Sequence, residues 1–581
     1  MQDTGTRIFS LRDYAEAHCA RQAGACTLIF SVSDGPARAF VLHARGDSFA
    51  LAWEPLLTGL RGLMKRKGLA GGHLRLDWVE EAVPMTWELF QQRIGETKRG
   101  YFRFGIALDP AFAVLLTEQE CNANAIFHGG ARVEEARFNP GNFSVYAGRR
   151  FPEGASPPSS PETPVWLIST AGAYCGVDGT VHPLPGPARG ERPTERGEKP
   201  GLSARGLYAG RREIRKLHPG LLRELIRGAG LWLARQVRDD GTFVYGRFPC
   251  FGRFIDAYNV LRHAASSYGL LEAWAFTGEA ALREPALASL RRLGRFTREF
   301  RSGSGGCAAF VVDGEEIKLG SNAMALLAFC RWRELTGSEE FSSLSELLAE
   351  GIAYMQDPET GVFVHVLHGG DFSLKEKTRV IYYDGEAVFG LLRFYRQTKN
   401  PRWLALAGKS FDSFLLDGHA EAHDHWLGYS VNELTEYIPD GRYFRFGINN
   451  CFGFLDFVLR RETTYPTLLE LMMAAQKMLS RLLGMPEAAH LLAGLDMDKF
   501  RAALHYRARY LLNGCFWPET AMFYKYPDSI LGSFFIRHHA FRVRIDDVEH
   551  YLCGLAAYAR MLEAGDPRWA APENPCSFNR S

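Results

Sequence analysis

Charge of one sign is scarce in this chain: 68 basic residues stand against 66 acidic ones, a formal net charge of +2. A nucleic-acid partner needs a basic stripe to neutralise phosphates, so that class is excluded as the bulk partner. Cysteine is sparse as well, 11 in 581 residues, scattered and without a CxxC pair. That excludes a disulfide scaffold. The thiols read as small buried hydrophobes of a reducing compartment, and the expected location is cytoplasmic. Long apolar runs are missing too. The best candidate, LLELMMAAQKMLSRLL from Leu468, carries charges and falls short of the roughly 18 uninterrupted apolar residues of a membrane helix. The opening MQDTGTRIFSLRDYAEAHCARQ lacks a basic start before an apolar run and does not read as a secretory signal. There is no GxGxxG, GxxxxGK[ST], GxSxG or HExxH. This argues against dinucleotide, P-loop, serine-hydrolase and zincin chemistry, and no cofactor is implied.

What is present is apolar and aromatic mass, 46% and 13%, enough for large packed cores in two or three units. Residues 1–147 alternate strand-like and helix-like periods. CTLIFSVSDG and ARAFVLHARGD read as strands joined at Asp34-Gly35-Pro36, and SFALAWEPLLTGLRGLMKRKG reads as a helix stopped by glycine. This predicts a small α/β (α+β) domain. Residues 148–218 are rich in proline, glycine and arginine and read as a linker. The stretch VWLISTAGAYCGVDGTVHPL within it forms a hairpin turning at Asp178-Gly179.

From 219 to 581 the pattern is helical, and it repeats. Four helices close on related turns: Thr277-Gly278, Thr336-Gly337, Thr398-Lys399-Asn400 and Ala564-Gly565-Asp566. A second phrase, a turn before an aromatic, recurs at Asp240-Gly241-Thr242-Phe243 and at Thr360-Gly361-Val362-Phe363, with a looser copy in NGCFWPE at 513–519. Helical hairpins that each expose an apolar face must stack on neighbours, and a closed ring leaves no end exposed. On these helix ends and turns the chain resembles the six-hairpin glycosidase-like group, the (α/α)6 toroids. That group includes N-acylglucosamine 2-epimerases and unsaturated glucuronyl hydrolases. The resemblance covers about 219–581 and implies a C-terminal all-α toroid with glycan-directed chemistry. The zinc-ligand motifs of lanthionine cyclases, another toroid, have no counterpart here, and no metal ligand set is expected.

The repeat supplies a register. Counting back 14 residues from each turn start aligns His263, Asn322, Asp384 and His550, all polar and near the start of an inner helix. They are expected to face the central cavity, with helix capping as the alternative for Asn322 and Asp384. Around Asp384, the residues Tyr382, Tyr383 and Glu386 combine rings that suit a sugar face with carboxylates for acid or base work. The densest polar cluster runs from Arg537 to His550. It brings His539, Arg542, Arg544, Asp546 and Asp547 together, either as a site or as a surface ion-pair network. Tyr258, Asn259 and Arg262 lead into the first inner helix, and Arg262 could grip a carboxylate or phosphate. Trp426, Glu433 and Arg442 add stacking and polar groups further on.

The expected function is a carbohydrate-active enzyme. A sugar or oligosaccharide would bind in the toroid cavity, with acid/base catalysis by Asp384, Glu386, Asp546, Asp547, His263 and His550. Hydrolysis would require a carboxylate pair, and epimerisation or elimination a histidine or tyrosine base facing a carboxylate. Two other readings are a scaffold for polysaccharide assembly, with a protein partner on the N-terminal domain, and a transferase or ligase clamping an anionic substrate with its arginines.

Overall fold

The computed structural model describes residues 3–19, 25–97, 101–130, 136–151, 153–186, 210–301, 306–537 and 540–572. His539 therefore lies outside the described residues. The N-terminal elements run α1 (Thr4–Cys19), β1 (Cys26–Ser33), β2 (Phe40–Gly46), α2 (Phe49–Lys67), β3 (His73–Thr86), α3 (Trp87–Gly95), β4 (Gly105–Ala107), β5 (Leu115–Leu116), α4 (Glu118–Ala123), α5 (Pro140–Arg150), β6 (Pro164–Cys175) and β7 (Val181–Leu184). The strands form one antiparallel sheet, order β2-β1-β3-β6-β4-β5, with β7 on β6. Period-two burial divides its faces. Leu28, Phe30 and Val32 meet Trp53, Leu56 and Leu60 of α2, while Ile29 points to the core shared with the helical region.

The sheet corrects the boundary expected at residue 147. The stretch taken as a hairpin within a linker supplies β6, whose residues pair with β3 from end to end and with β4. Its apolar run buries on both faces, as an interior strand requires, and the flanking prolines and glycines disguised it as an insert. Beyond it, residues 187–209 lie outside the described set. The sheet is docked on the helical region rather than hung from it. Backbone bonds join Ala39 N–H to the Met522 carbonyl (2.7 Å) and Asp528 N–H to the Gly35 carbonyl (3.2 Å). Buried Arg75 donates to the Glu519 carbonyl at 2.8 Å.

Helices then pair outer with inner. In chain order they are α6 (Pro219–Ala234) and α7 (Val260–Thr277), α8 (Arg283–Arg295) and α9 (Leu319–Thr336), α10 (Ser342–Tyr354) and α11 (Tyr382–Thr398), and α12 (Pro401–Leu416) and α13 (His425–Tyr437). Next come α14 (Gly441–Phe452) and the short α15 (Leu455–Arg460) with α16 (Thr467–Leu482). Last are α17 (Met497–Leu511) and the short α18 (Pro518–Ala521) with α19 (Ile545–Ala564). Among the described residues the inner helices close a ring: α7 packs on α9, α9 on α11, α11 on α13, α13 on α16, α16 on α19 and α19 on α7. This is the six-hairpin toroid that the chain resembles. The inner helices are buried nearly all round, as core helices are. No helix among the described residues is long and apolar enough to cross a membrane.

The two ends of the ring differ. Four inner helices end on a left-handed cap, at Gly278, Gly337, Lys399 and Gly565 (φ 69°, 69°, 55° and 63°). A positive φ closes the helix at once, so the return to the outer helix is short. The opposite connections are long and carry the remaining strands: β8 (Gly246–Phe248), β9 (Arg253–Phe254), β10 (Thr297–Arg301), β11 (Cys307–Asp313), β12 (Glu316–Lys318), β13 (Val366–His368), β14 (Leu374–Glu376) and β15 (Val543–Arg544). These connections frame the N-terminal ends of the inner helices.

Candidate active site

At that end, side chains from five inner helices converge. Asp424 caps α13 by accepting from Leu427 N–H (3.0 Å), which fixes His425 at the first helical position. The strand β15 pairs with β8 and feeds straight into α19, so Arg544, Asp546 and Asp547 are held at a strand-to-helix junction. Both aspartates sit in the first helical turn, where the helix dipole favours negative charge.

The centre is a set of imidazoles and carboxylates. His550 Nδ1 lies 2.8 Å from Glu470 Oε2 and 3.3 Å from Glu549 Oε2. His425 Nε2 makes no hydrogen bond and points at the same Glu470 oxygen from 3.9 Å. The two imidazole rings stand 5.2 Å apart, edge to face. Tyr429 donates to Glu470 Oε1 (3.0 Å), and the Cys553 thiol donates to Glu549 Oε1 (3.3 Å). Glu386 reaches in from α11 with Oε2 lacking a hydrogen bond. Trp426 and Tyr382 flank the group, the indole 5.1 Å from the His425 ring. At the rim, Asp546 takes Arg262 Nε at 2.8 Å and Arg544 at 2.9 Å, and Arg544 also holds Asp547 at 2.9 Å.

Burial and charge pull these groups in different directions. Burial alone would lower the His550 pKa, but Glu549 and Glu470 outweigh it and hold the imidazole well above its ordinary value. Glu549 is raised to about 8, by burial first and Glu470 next, against the pull of His550. Glu386 is raised well above the ordinary carboxyl range by burial and by Asp424. Tyr382 is raised to about 12 by burial and by Glu386. A cationic imidazole thus stands beside carboxyls that hold their protons unusually tightly. Such separation of pKa values is what acid/base catalysis needs.

Donor atoms of His425, Glu470 and His550 lie within 4.8 Å of one another. Two ligands of one tetrahedral ion at about 2.05 Å would sit about 3.3 Å apart. The 2.8 Å between His550 and Glu470 is instead the length of a charge-assisted ion pair, and the cluster is read as one.

The structure separates the expected site residues. Glu386, Asp546, His550, Arg262, Tyr382, Trp426 and Arg544 come together, with Asp547 and Arg542 behind them, 3.9 Å from each other. Eight others lie away from the cluster. His263 is fully buried, donating from Nε2 to the Ser289 carbonyl (2.9 Å) and accepting at Nδ1 from the Tyr258 hydroxyl (2.7 Å), and burial lowers its pKa to about 4. Asn322 accepts from Val311 N–H at 2.6 Å. Asp384 pairs with His365 (3.2 Å), away from the cluster. Tyr258, besides holding His263, accepts from Phe243 N–H (3.0 Å). Asn259 is the N-cap of α7. Tyr383 packs 5.6 Å from the His365 ring. Glu433 pairs with Arg393 (2.8 Å) toward the other end of the ring. Arg442 is largely exposed, paired with Asp440 (2.8 Å) outside the ring. Unforeseen members of the site are His425, Glu470 and Glu549. Glu470 was detectable as the lone carboxylate in LLELMM, since a charge inside an apolar helix face is seldom buried without a purpose.

Gly320 on α9 makes room for this group. A Cβ there would lie 2.1 Å from Glu386 Oε2 and 2.6 Å from the Tyr383 ring. Gly320→Ala would gain about 1 kcal/mol of helix propensity but overpack a filled core at about 1–3 kcal/mol. The expected outcome is a variant less stable by about 1 kcal/mol in urea unfolding, with activity lost out of proportion because Glu386 must move.

No family model matches this chain, and no curated protein matches it. Solved structures do. A D-mannose isomerase is 12% identical over 60% of this chain and 100% of its own, with a TM-score of 0.42. The cellobiose 2-epimerase of Bacillus thermoamylovorans B4167 is 11% identical over 59% and 99%, with a TM-score of 0.42. The unsaturated glucuronyl hydrolase of Bacillus sp. GL1 is 12% identical over 61% and 100%, again with a TM-score of 0.42.

Proposed function

We propose that this chain is a carbohydrate-active enzyme that moves a proton on a reducing sugar, as an isomerase or epimerase does. The observation that carries the reading is the pair of imidazoles, His425 and His550, edge to face with ring centres 5.2 Å apart among the buried carboxyl groups Glu386, Glu470 and Glu549. A glycosidase needs two carboxyls placed across a bond, whereas proton transfer next to a carbonyl needs a base and an acid on either side of one carbon. His425 as the base and the Glu549–His550 pair as the acid answer the second need. Tyr382, half-buried beside Glu386, offers a ring to a sugar, and Arg262 and Arg544 hold Asp546 next to the cluster.

In this scheme His425 removes the proton from the carbon beside the open-chain carbonyl. The electron pair moves to the carbonyl oxygen, which takes a proton from the Glu549–His550 pair. Return of the proton to the neighbouring carbon, while the adjacent hydroxyl gives its proton back to the Glu549–His550 pair, gives the isomer. Delivery of a proton by His550 to the opposite face of the same carbon, while the enol oxygen gives its proton back to that pair, gives the epimer, and His425 then loses its proton to solvent as the pair regains one. The test is exchange in deuterated water: aldoses, ketoses and reducing disaccharides are incubated with the protein, and deuterium beside the carbonyl is read by NMR. Hydrolysis of aryl glycosides without any exchange would instead favour the glycosidase reading.

The reading also fixes a pH dependence. Glu549 holds its proton below about 8 and loses it above, which weakens the acid that protonates the sugar oxygen. The rate is therefore expected to fall about tenfold per pH unit above about 8. In Glu549→Gln, which cannot titrate, that limb should move upward. A pH–rate profile of both forms checks this.

A further inference from the structure

The same ring holds a second polar cavity, on the side of the left-handed helix ends. It has a volume of about 190 Å³ and is lined by Arg331, Arg393, Arg396, Lys477 and Arg560, with Glu272 and Glu334. Tyr429 and Cys553 also line it, and these are the side chains that bond Glu470 and Glu549 from behind. The cavity and the acid/base cluster are thus separated by one layer of side chains.

Its charges do not balance. Glu272 takes Arg331 (2.7 Å) and Arg560 (3.1 Å). Glu433 takes Arg393 (2.8 Å) and Arg396 (3.7 Å). Glu334 bridges Arg331 (2.7 Å) and Arg396. Four arginines therefore share three carboxylates, and Lys477 has no ion-pair or hydrogen-bond partner among the described residues. Lys477 is nonetheless surface-accessible although α16 lies inside the ring, because its side chain projects into the open cavity. Glu272 is engaged by its arginines: burial pushes it up, yet Arg331 and Arg560 outweigh it and hold the carboxyl down at about 2, which leaves it little charge for Lys477. Crowding first, then Arg393 and Arg560, push the Lys477 pKa down against the pull of Glu272 and Glu433. Confined, unbalanced positive charge is costly, and an anion of matching size relieves it.

We propose that this cavity is a second binding site, distinct from the acid/base cluster, that takes a small oxyanion of the phosphate class, free or as the phosphate end of a small ester. Lys477 supplies the point charge, and the guanidinium groups around it supply directed N–H donors. The test needs no sugar turnover, so its failure and that of the proposed activity are distinguishable.

The full chain is titrated by calorimetry with inorganic phosphate in one arm and glycerol 3-phosphate in the other, at low ionic strength. Saturable one-to-one binding is expected, weakened about tenfold or more in Lys477→Met and largely retained in Lys477→Arg. Tighter binding in the second arm would assign the ester as the ligand, and equal binding the free ion. Ala557→Met, which adds bulk to the cavity wall without altering charge, should also weaken binding, and covers the case in which Lys477→Met fails to fold. Absence of saturable binding in both arms at millimolar concentration would overturn the proposal. So would binding by folded Lys477→Met as tight as by the unaltered chain.

Discussion

His425→Ala is expected to slow proton exchange on the sugar by about 10²–10⁴-fold while leaving the protein folded. The site's two imidazoles are not equivalent as targets. His550 stands between Glu470 and Glu549, at 2.8 and 3.3 Å, and removing it would leave two buried carboxylates facing each other without a cation. Such a variant would lose stability along with activity, and the two effects could not be told apart. His425 has less to lose. Its Nε2 makes no hydrogen bond, and its Nδ1 only approaches Asp424 at 3.3 Å. Asp424 keeps its capping bond to Leu427 N–H whatever follows it. The cost to folding is confined to the packing around Trp426, Tyr429 and the His550 ring. Thermal unfolding would show a modest shift, and exchange in deuterated water would show the loss. Exchange at the unaltered rate would remove His425 from the mechanism and the proposed proton transfer with it.

How far such a site is legible in sequence depends on which coordinate a motif encodes. The Thr-Gly ends mark where an inner helix stops, because only a left-handed residue closes the helix there, and glycine adopts that backbone freely. Counting back from them sets the height of a residue along the ring. It does not set which way the side chain points, since each residue turns the helix by about 100°. His263, Asn322 and Asp384 stand at the expected height and face the outer layer, where each finds a hydrogen-bond partner. His550, at the same height on α19, faces inward instead, against Glu470 and His425. His425 and Glu470 lie on α13 and α16, whose ends lack the Thr-Gly mark, so no register reached them. In the N-terminal region, the strands flanked by clear turns were legible. β6 was legible as one arm of the hairpin it forms with β7, but not as a member of the main sheet, because its partners β3 and β4 lie far away in sequence and its flanks are rich in proline and glycine.

The largest stability effect is expected far from the cavity, at Asp77. Arg75 and Asp77 sit on the same face of β3, two residues apart, and both are essentially solvent-free. The guanidinium is fully engaged, with Nε and Nη2 on the Asp77 carboxylate at 2.8 Å and Nη1 on the Glu519 carbonyl at 2.8 Å. Its face also lies over the Phe523 ring at 5.4 Å. One arginine thus ties the sheet to the segment that leads into α19. Asp77→Ala would leave that charge buried without a counter-ion, at about 3–5 kcal/mol. Arg75→Met with Asp77→Leu removes both charges together, and the loss should largely vanish, since a buried ion pair is often no better than apolar residues of similar size. An exposed pair offers the contrast. Arg442 and Asp440 meet at the same 2.8 Å in solvent, and Arg442→Ala should cost under about 1 kcal/mol. Urea unfolding of the three variants separates the cases. If Asp77→Ala proved no weaker than Arg442→Ala, water would have to reach Arg75, and the contact between sheet and ring would be far looser than its hydrogen bonds imply.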